Sequence, residues 1–241
     1  MFRPFTENEL KHYREEFRER GRLQIPEVLS SDHAQYLHQQ LVAQSQWNLS
    51  VNDGQKHSDL NYGAFLRLAA DQRNIMLDKL YSKRQHGLAY AFKAIPAYDV
   101  YHNDKKSGNW IAKLYSLVNE DAFLAQMRAI IGDQDIGFAD VQVSCYEALH
   151  FLGKHDDNVA GKNRSAAYVL NLTKHTTTDE GGQLNFLTNS GELETSLAPS
   201  FNTLNIFKVP QQHEVSRVAD GSTMKRFAVS GWLRTGLDPK A

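Results

Sequence analysis

Ten histidines and a single cysteine direct any metal chemistry in this 241-residue chain to imidazole and carboxylate ligands. The pattern to test is His-x-Asp followed by a distant second histidine. Two imidazoles and one carboxylate can take one face of a metal, the arrangement used for non-haem Fe(II) with positions left open for oxygen chemistry. His-x-Asp alone says little, since ten histidines and sixteen aspartates in 241 residues give about 0.7 matches by chance. The chain has His57-Ser58-Asp59, His102-Asn103-Asp104 and His155-Asp156-Asp157.

Context separates the three. His57 and Asp59 lie in the polar stretch NDGQKHSDLNYG, which has no strand pattern. His102 and Asp104 lie in PAYDVYHNDKKSGN (residues 96–109), polar and glycine-containing, which reads as a mobile loop. Both pairs are expected to be solvated surface groups. His155 and Asp157 instead follow the strand-like VQVSCYEALHFLGK, and in extended chain residues two apart share a face. Beyond them come AAYVLNL, then GGQLNFL, then His213 in VPQQHEV and Arg226 in KRFAVSGWLR.

The elements that must position these residues change character along the chain. The first half reads as mostly helical. A helix over 6–20 opens with a Thr6/Glu9 capping box, and a short strand covers 22–28. A second helix is capped by Ser31 and runs to about residue 44. A third covers 66–84 with Ile75, Leu77 and Leu80 among its apolar positions, and a fourth covers 119–131 with Phe123, Leu124, Met127 and Ile130. From about residue 134 the segments become short, rich in Val, Ile, Tyr and Phe, and bounded by Gly, Asn and Asp. Strands are expected near 140–147, 165–173, 182–188, 202–209, 213–218 and 226–234, a spacing that suggests a sandwich or barrel. On the last of these, Arg226, Ala228, Ser230 and Trp232 share one face and Phe227, Val229 and Leu233 the other, the first set reading as the polar interior.

Composition sets the bounds. With 41% hydrophobic and 23% charged residues a packed core is feasible and wholesale disorder is excluded. A net charge of −1 argues against a dedicated nucleic-acid binder, which needs a clustered basic surface. The lone Cys145 excludes an intrachain disulfide framework, reads as a small buried hydrophobe and fits a reducing cytoplasm. The first ten residues show no signal peptide, and no apolar run approaches the roughly 18 residues of a membrane span. With no repeats and no linker, residues 1–241 are expected to form one domain: a helix-rich support region (1–133) and a β core (134–236).

The ordered set HDD, AAYVLNLT, EGGQLNFL, FNTLNIFKVPQQHEVSRV and RFAVSGWLR, spanning about 141–236, resembles the Fe(II)- and 2-oxoglutarate-dependent oxygenases. Within them it is similar to the prolyl-hydroxylase-like branch, of the oxoglutarate/iron-dependent oxygenase domain type related to ribosomal-protein prolyl hydroxylases. The resemblance implies a mainly β fold with flanking helices: a double-stranded β-helix (jelly roll, cupin-like) with the N-terminal helices packed on it. It implies that His155, Asp157 and His213 hold the metal, that Arg226 binds the distal carboxylate of 2-oxoglutarate, and that a tyrosine hydroxyl assists. Tyr146 is the preferred candidate. Tyr168 is a second, pocket-facing only if Val169 is not. Trp232 either walls the substrate pocket or packs.

The implied reaction oxidises 2-oxoglutarate with dioxygen to succinate and CO2 while hydroxylating a substrate C–H, with Fe(II) as cofactor and ascorbate as an accessory. The implied partner is a protein carrying a target proline, the translation machinery being the suggested source, in the cytoplasm and without membrane. Residues 96–109 are a candidate lid over that substrate or an ordinary exposed connection. Three alternatives stay open: hydroxylation of a free amino acid or small metabolite, nucleic-acid demethylation, and a non-catalytic jelly-roll binding module. Against demethylation stands Trp232, where enzymes of that type typically carry a second arginine.

Overall fold

The Thr6 hydroxyl accepts the Glu9 N–H while the Glu9 carboxylate accepts the Thr6 N–H, and this reciprocal cap starts the first helix. The structure, a computed structural model, describes residues 1–105, 108–174 and 176–240. The chain runs α1 (Glu7–Arg20), β1 (Arg22–Pro26), α2 (Ser31–Ala43), β2 (Asn48–Asp53), β3 (His57–Asn61), α3 (Tyr62–Leu66), α4 (Ala70–Lys83), β4 (Ala89–Ile95), α5 (Ala97–Asn103), α6 (Trp110–Val118) and α7 (Asp121–Ile131). Strands then take over: β5 (Ile136–Ala139), β6 (Gln142–Tyr146), β7 (Phe151–His155), β8 (Arg164–Asn171), β9 (Leu184–Leu187), β10 (Leu193–Leu197), β11 (Thr203–Lys208), β12 (His213–Val215) and β13 (Arg226–Thr235). Among the described residues no helix is long and apolar enough to cross a membrane.

All the strand pairings are antiparallel, in the order β1-β11-β8-β13-β6-β4-β7-β12-β9-β10. β2 pairs with β4 and β3, and β5 pairs with β13. The sheet curls until its ends meet. Arg22 of β1 donates to Thr195 of β10 at 2.9 Å and pairs with Glu194 at 2.8 Å. The result is the jelly-roll, cupin-like fold of mainly antiparallel sheet with flanking helices. Strand alternation divides its residues. Phe227, Val229 and Leu233 join Ala166, Tyr168, Leu170 and the apolar faces of α2, α6 and α7 in the main core, while the alternate positions face the interior of the curl.

The first half departs from the sequence expectations in four places. β2, β3 and β4 lie where no strand was expected, and β4 joins β6 to β7 inside the main sheet. β4 is buried along nearly its whole length, so it lacks the alternation that marks a half-buried strand. The helix expected over 66–84 is α4, which starts only at Ala70, after a separate short helix α3 that ends at Leu66; Leu77 is buried and Ile75 52% exposed. α2 takes Ser30 as its N-cap residue, without a side-chain cap bond.

The fourth departure is the stretch 96–109, read as a mobile loop and candidate lid. Its residues 106 and 107 lie outside the described ones, but 97–103 form α5, which packs on α6. The helical spacing of Tyr98, Tyr101 and His102 turns their rings toward Tyr115. His102 is therefore no solvated partner of Asp104. Its side chain is 4% exposed, and its Nε2 lies 3.0 Å from the Asp238 carboxylate near the C-terminus.

Tyr98 and Tyr115 both donate their hydroxyls to Asp238, and the Asp238 carboxylate also accepts the Lys240 N–H. Asp238→Ala should strand two hydroxyls and one imidazole in this cluster. Such losses cost about 1–3 kcal/mol per unsatisfied buried group. Urea unfolding should report a loss of that order, with metal binding unaffected.

Candidate metal centre

β7 ends at His155 and β12 begins at His213, and the two residues are register partners across adjacent strands. Their rings lie 4.1 Å apart between centroids. Asp157 completes the group, with one carboxylate oxygen 3.4 Å from His155 Nε2 and the other 3.4 Å from His213 Nε2. The three ligand atoms lie within 4.8 Å of one another. Asp157 reaches this position by a turn: its φ is +64°, in the left-handed region, so the simple two-apart rule of extended chain is not what brings it to the histidines. Asp156 stabilises that turn by accepting the Asn158 N–H at 3.0 Å.

Both histidines are oriented from behind. His155 Nδ1 lies 2.9 Å from the Gly153 carbonyl and His213 Nδ1 2.8 Å from the Gln211 carbonyl. A carbonyl only accepts, so each Nδ1 carries the proton and each Nε2 presents a lone pair to the shared point. Burial, aided by the neighbouring His155, pushes His213 down to about 4, which keeps it a neutral ligand. Burial would raise the Asp157 carboxyl, but the His155 side chain, the charge that His155 and His213 carry when protonated and the Trp232 indole N–H outweigh it and hold it at about 2. Two neutral imidazole nitrogens and one ionised carboxylate form a facial set that fits a divalent first-row metal with open positions.

The metal group opens into a cavity of about 400 Å³ that also contains Arg226, Tyr146 and Trp232. Arg226, at the start of β13, is 2% exposed. Its guanidinium carbon lies 4.8 Å from the Tyr146 ring centre, and Tyr146 stacks on Phe92 at 4.8 Å. Among the described residues no carboxylate pairs with Arg226, and its Nε has no hydrogen-bond partner. A buried guanidinium without a counter-ion is a site for an incoming anion, and a carboxylate matches its fork. Gly182, whose φ is +72°, packs against the stem of this arginine, where a Cβ would stand 3.3 Å from the Arg226 Cδ.

Tyr168 borders this cavity, but its hydroxyl is turned away from it. Its ring packs toward Phe123 in the main core and its hydroxyl donates to the Asp140 carbonyl at 2.8 Å. The register of β8 turns Ala167 and Val169 inward, so Tyr168 is placed as a core aromatic by strand parity. Trp232 does face the cavity, with its indole N–H beside the Asp157 carboxylate.

Two wall residues were missed from sequence. Arg164 stacks its guanidinium 3.4 Å from the Trp232 ring centre and donates to the Asp157 carbonyl at 2.8 Å. His57, half exposed and paired with Asp59 at 3.3 Å, reaches the cavity rim beside Tyr90. Arg164 had one signal, a cation at the entrance of a strand directly after the HDD turn. His57 had none, because the hairpin that places it was not legible.

An antiparallel jelly roll with two histidines and an aspartate at the mouth defines a class, the non-haem metal oxygenase fold. Residues 141–234 match the family model described as the 2OG-Fe(II) oxygenase superfamily. That description implies Fe(II), 2-oxoglutarate and dioxygen as the reacting set. No curated protein matches the chain. Among solved structures, a Pseudomonas putida prolyl-4-hydroxylase aligns with TM-score 0.61 at 16% identity, over 94% of this chain and 99% of that one. A Trichoplax adhaerens prolyl hydroxylase in complex with a hypoxia-inducible-factor peptide aligns with TM-score 0.60 at 17% identity, over 96% and 94%. The 2-oxoglutarate-dependent epimerase SnoN from nogalamycin biosynthesis aligns with TM-score 0.57 at 12% identity, over 94% and 83%. At these identities the likeness is one of fold.

Proposed function

We propose that this protein is a 2-oxoglutarate-dependent dioxygenase acting on a prolyl residue of a protein substrate, with residues 1–241 working as one oxygenase unit in the cytoplasm. The observation that carries the reading is the unpaired, buried Arg226 in the same cavity as the His155–Asp157–His213 group. A metal site and an anion site in one cavity suit a cosubstrate with a chelating end and a distal carboxylate.

In this reading His155, Asp157 and His213 hold Fe(II), which when bound supplies dioxygen activation coupled to decarboxylation of 2-oxoglutarate to succinate and CO2. Arg226 binds the distal carboxylate bidentately, and Tyr146 beneath it fixes the guanidinium plane. The apolar walls exclude water from the reacting end. Ascorbate serves as the accessory reductant.

The prolyl substrate is favoured by the wall opposite. Arg164 Nε is a buried donor without an acceptor beside the Trp232 ring, and peptide carbonyls are acceptors spaced along a chain. The translation machinery is the proposed source of that chain. The test is mass spectrometry of lysate proteins and synthetic prolyl peptides after incubation with enzyme, Fe(II), 2-oxoglutarate and ascorbate. The expected result is one added oxygen on a proline within a peptide. Hydroxylation of free proline as efficiently as any peptide would replace this reading with a small-metabolite hydroxylase. Absence of any 2-oxoglutarate turnover would leave a non-catalytic binding module.

A further inference from the structure

Asp140 lies in a gap of the sheet. β5 pairs with β13 at Leu233, Arg234 and Thr235, and β6 pairs with it at residues 226–230. Gly231 and Trp232 therefore have no strand partner on that edge, and Val141 and Asp140, which stand opposite them in the continued register, bridge the interval, Asp140 through its side chain. Its N–H donates to the Trp232 carbonyl at 3.1 Å, and its carboxylate accepts the Trp232 N–H at 2.7 Å. The Asp140 carbonyl accepts the Tyr168 hydroxyl from the core side. The approach is so close that a Cβ on Gly231 would stand 2.0 Å from the Asp140 oxygen, so only glycine fits there.

The carboxylate also faces two cations. Arg234 Nη1 lies 3.7 Å from its second oxygen, while Arg234 Nε donates at 2.7 Å to the carbonyl of Lys162, two residues before Arg164. Arg164 stacks on Trp232 and holds the backbone of the ligand Asp157. Burial pushes the Asp140 carboxyl up to about 6, against the Trp232 N–H and the charges of Arg164 and Arg234, so the fold retains the group at a cost. A neutral Asn or Ser could close a ladder gap; a buried charge facing two guanidiniums does more.

We propose that Asp140 is a positioning residue whose charge and acceptor set the Trp232–Arg164 wall against the substrate. The inference rests on the reading that this wall meets the substrate, but its first readout does not. Asp140→Asn keeps an acceptor for the Trp232 N–H and removes the charge; Asp140→Ala removes both. The readout is the indole N–H resonances of Trp47, Trp110 and Trp232 in zinc-loaded protein with 2-oxoglutarate, Trp232 being assigned through Trp232→Phe.

In Asp140→Asn the Trp232 resonance should shift or broaden while those of Trp47 and Trp110 stay. KM for a hydroxylated prolyl peptide should rise about threefold in Asn and about tenfold in Ala, with kcat changing much less. An unmoved Trp232 resonance in both variants overturns the inference, as does a parallel fall of kcat and kcat/KM with unchanged KM. If Trp232 shifts in an enzyme whose wild type hydroxylates no prolyl peptide, the positioning inference stands and the prolyl reading falls.

Discussion

Replacing Asp157 by alanine should abolish 2-oxoglutarate turnover while the protein still folds. The carboxylate is the only anionic member of the proposed ligand set, and it stands 3.4 Å from the free nitrogens of both histidines. Without it, two neutral imidazoles remain, which hold a divalent metal weakly. Asp157 lines a cavity and supports no packed core, so circular dichroism should be unchanged. In metal-free wild type the carboxyl sits well below its ordinary value, at about 2. Its share of stability is therefore present above the unfolded carboxyl value and lost as pH falls through about 2. The alanine variant lacks that share at neutral pH. Asp59→Ala and Asp104→Ala serve as contrasts. Asp59 pairs with His57 at the rim and Asp104 follows α5, so Mn(II) titration should find both near wild-type affinity. Full turnover in Asp157→Ala, or loss of metal in either contrast, would overturn the ligand assignment.

Arg226→Ala should weaken 2-oxoglutarate binding by two to three and a half decades, from the about 3–5 kcal/mol that removing one partner of a buried charge pair costs. Metal affinity should be nearly untouched, because the guanidinium contacts Tyr146 and none of the three ligands. Lysine at this position should restore part of the affinity, supplying charge without the planar fork. A second readout follows from the missing counter-ion. Arg226 has no carboxylate partner among the described residues and is held by Tyr146, so Arg226→Ala should lower Tm less than truncation of a carboxylate-paired buried arginine would. Calorimetry for cosubstrate affinity and thermal unfolding of the ligand-free protein check the two halves separately. Unchanged 2-oxoglutarate affinity would move the anchor elsewhere.

Much of the site could be read from residue types and order. His-x-Asp, a distant histidine and an arginine thirteen residues later are a chemical signature, and it is independent of how the strands pair. The parity of β13 was equally legible, since alternation is a local property: Arg226 and Trp232 face the cavity and Phe227 and Val229 the core. The strands β6, β8, β11 and β13, rich in apolar and β-branched residues, lie close to their expected places.

What local pattern could not carry was decided by the tertiary structure. β4 is buried on both faces and shows no period, and β2 and β3 are ordered by pairing with it and with each other. Hence His57 reaches the cavity rim from a segment with no strand pattern. α5 reads as polar loop because its carboxylate partner, Asp238, is some 140 residues away, and only that contact makes burial of His102 and Tyr98 tolerable. Tyr168 turned on a one-residue choice of register. Asp157 reached the two histidines through a left-handed turn. Asp140 owes its place to an interval in the sheet that exists only once β5 and β6 have both paired with β13, and Arg164 to the pairing of β8 with β13. Residue chemistry and alternation are properties of short stretches and are written in the sequence; sheet register and long-range charge pairing depend on partners brought together by folding, and are not.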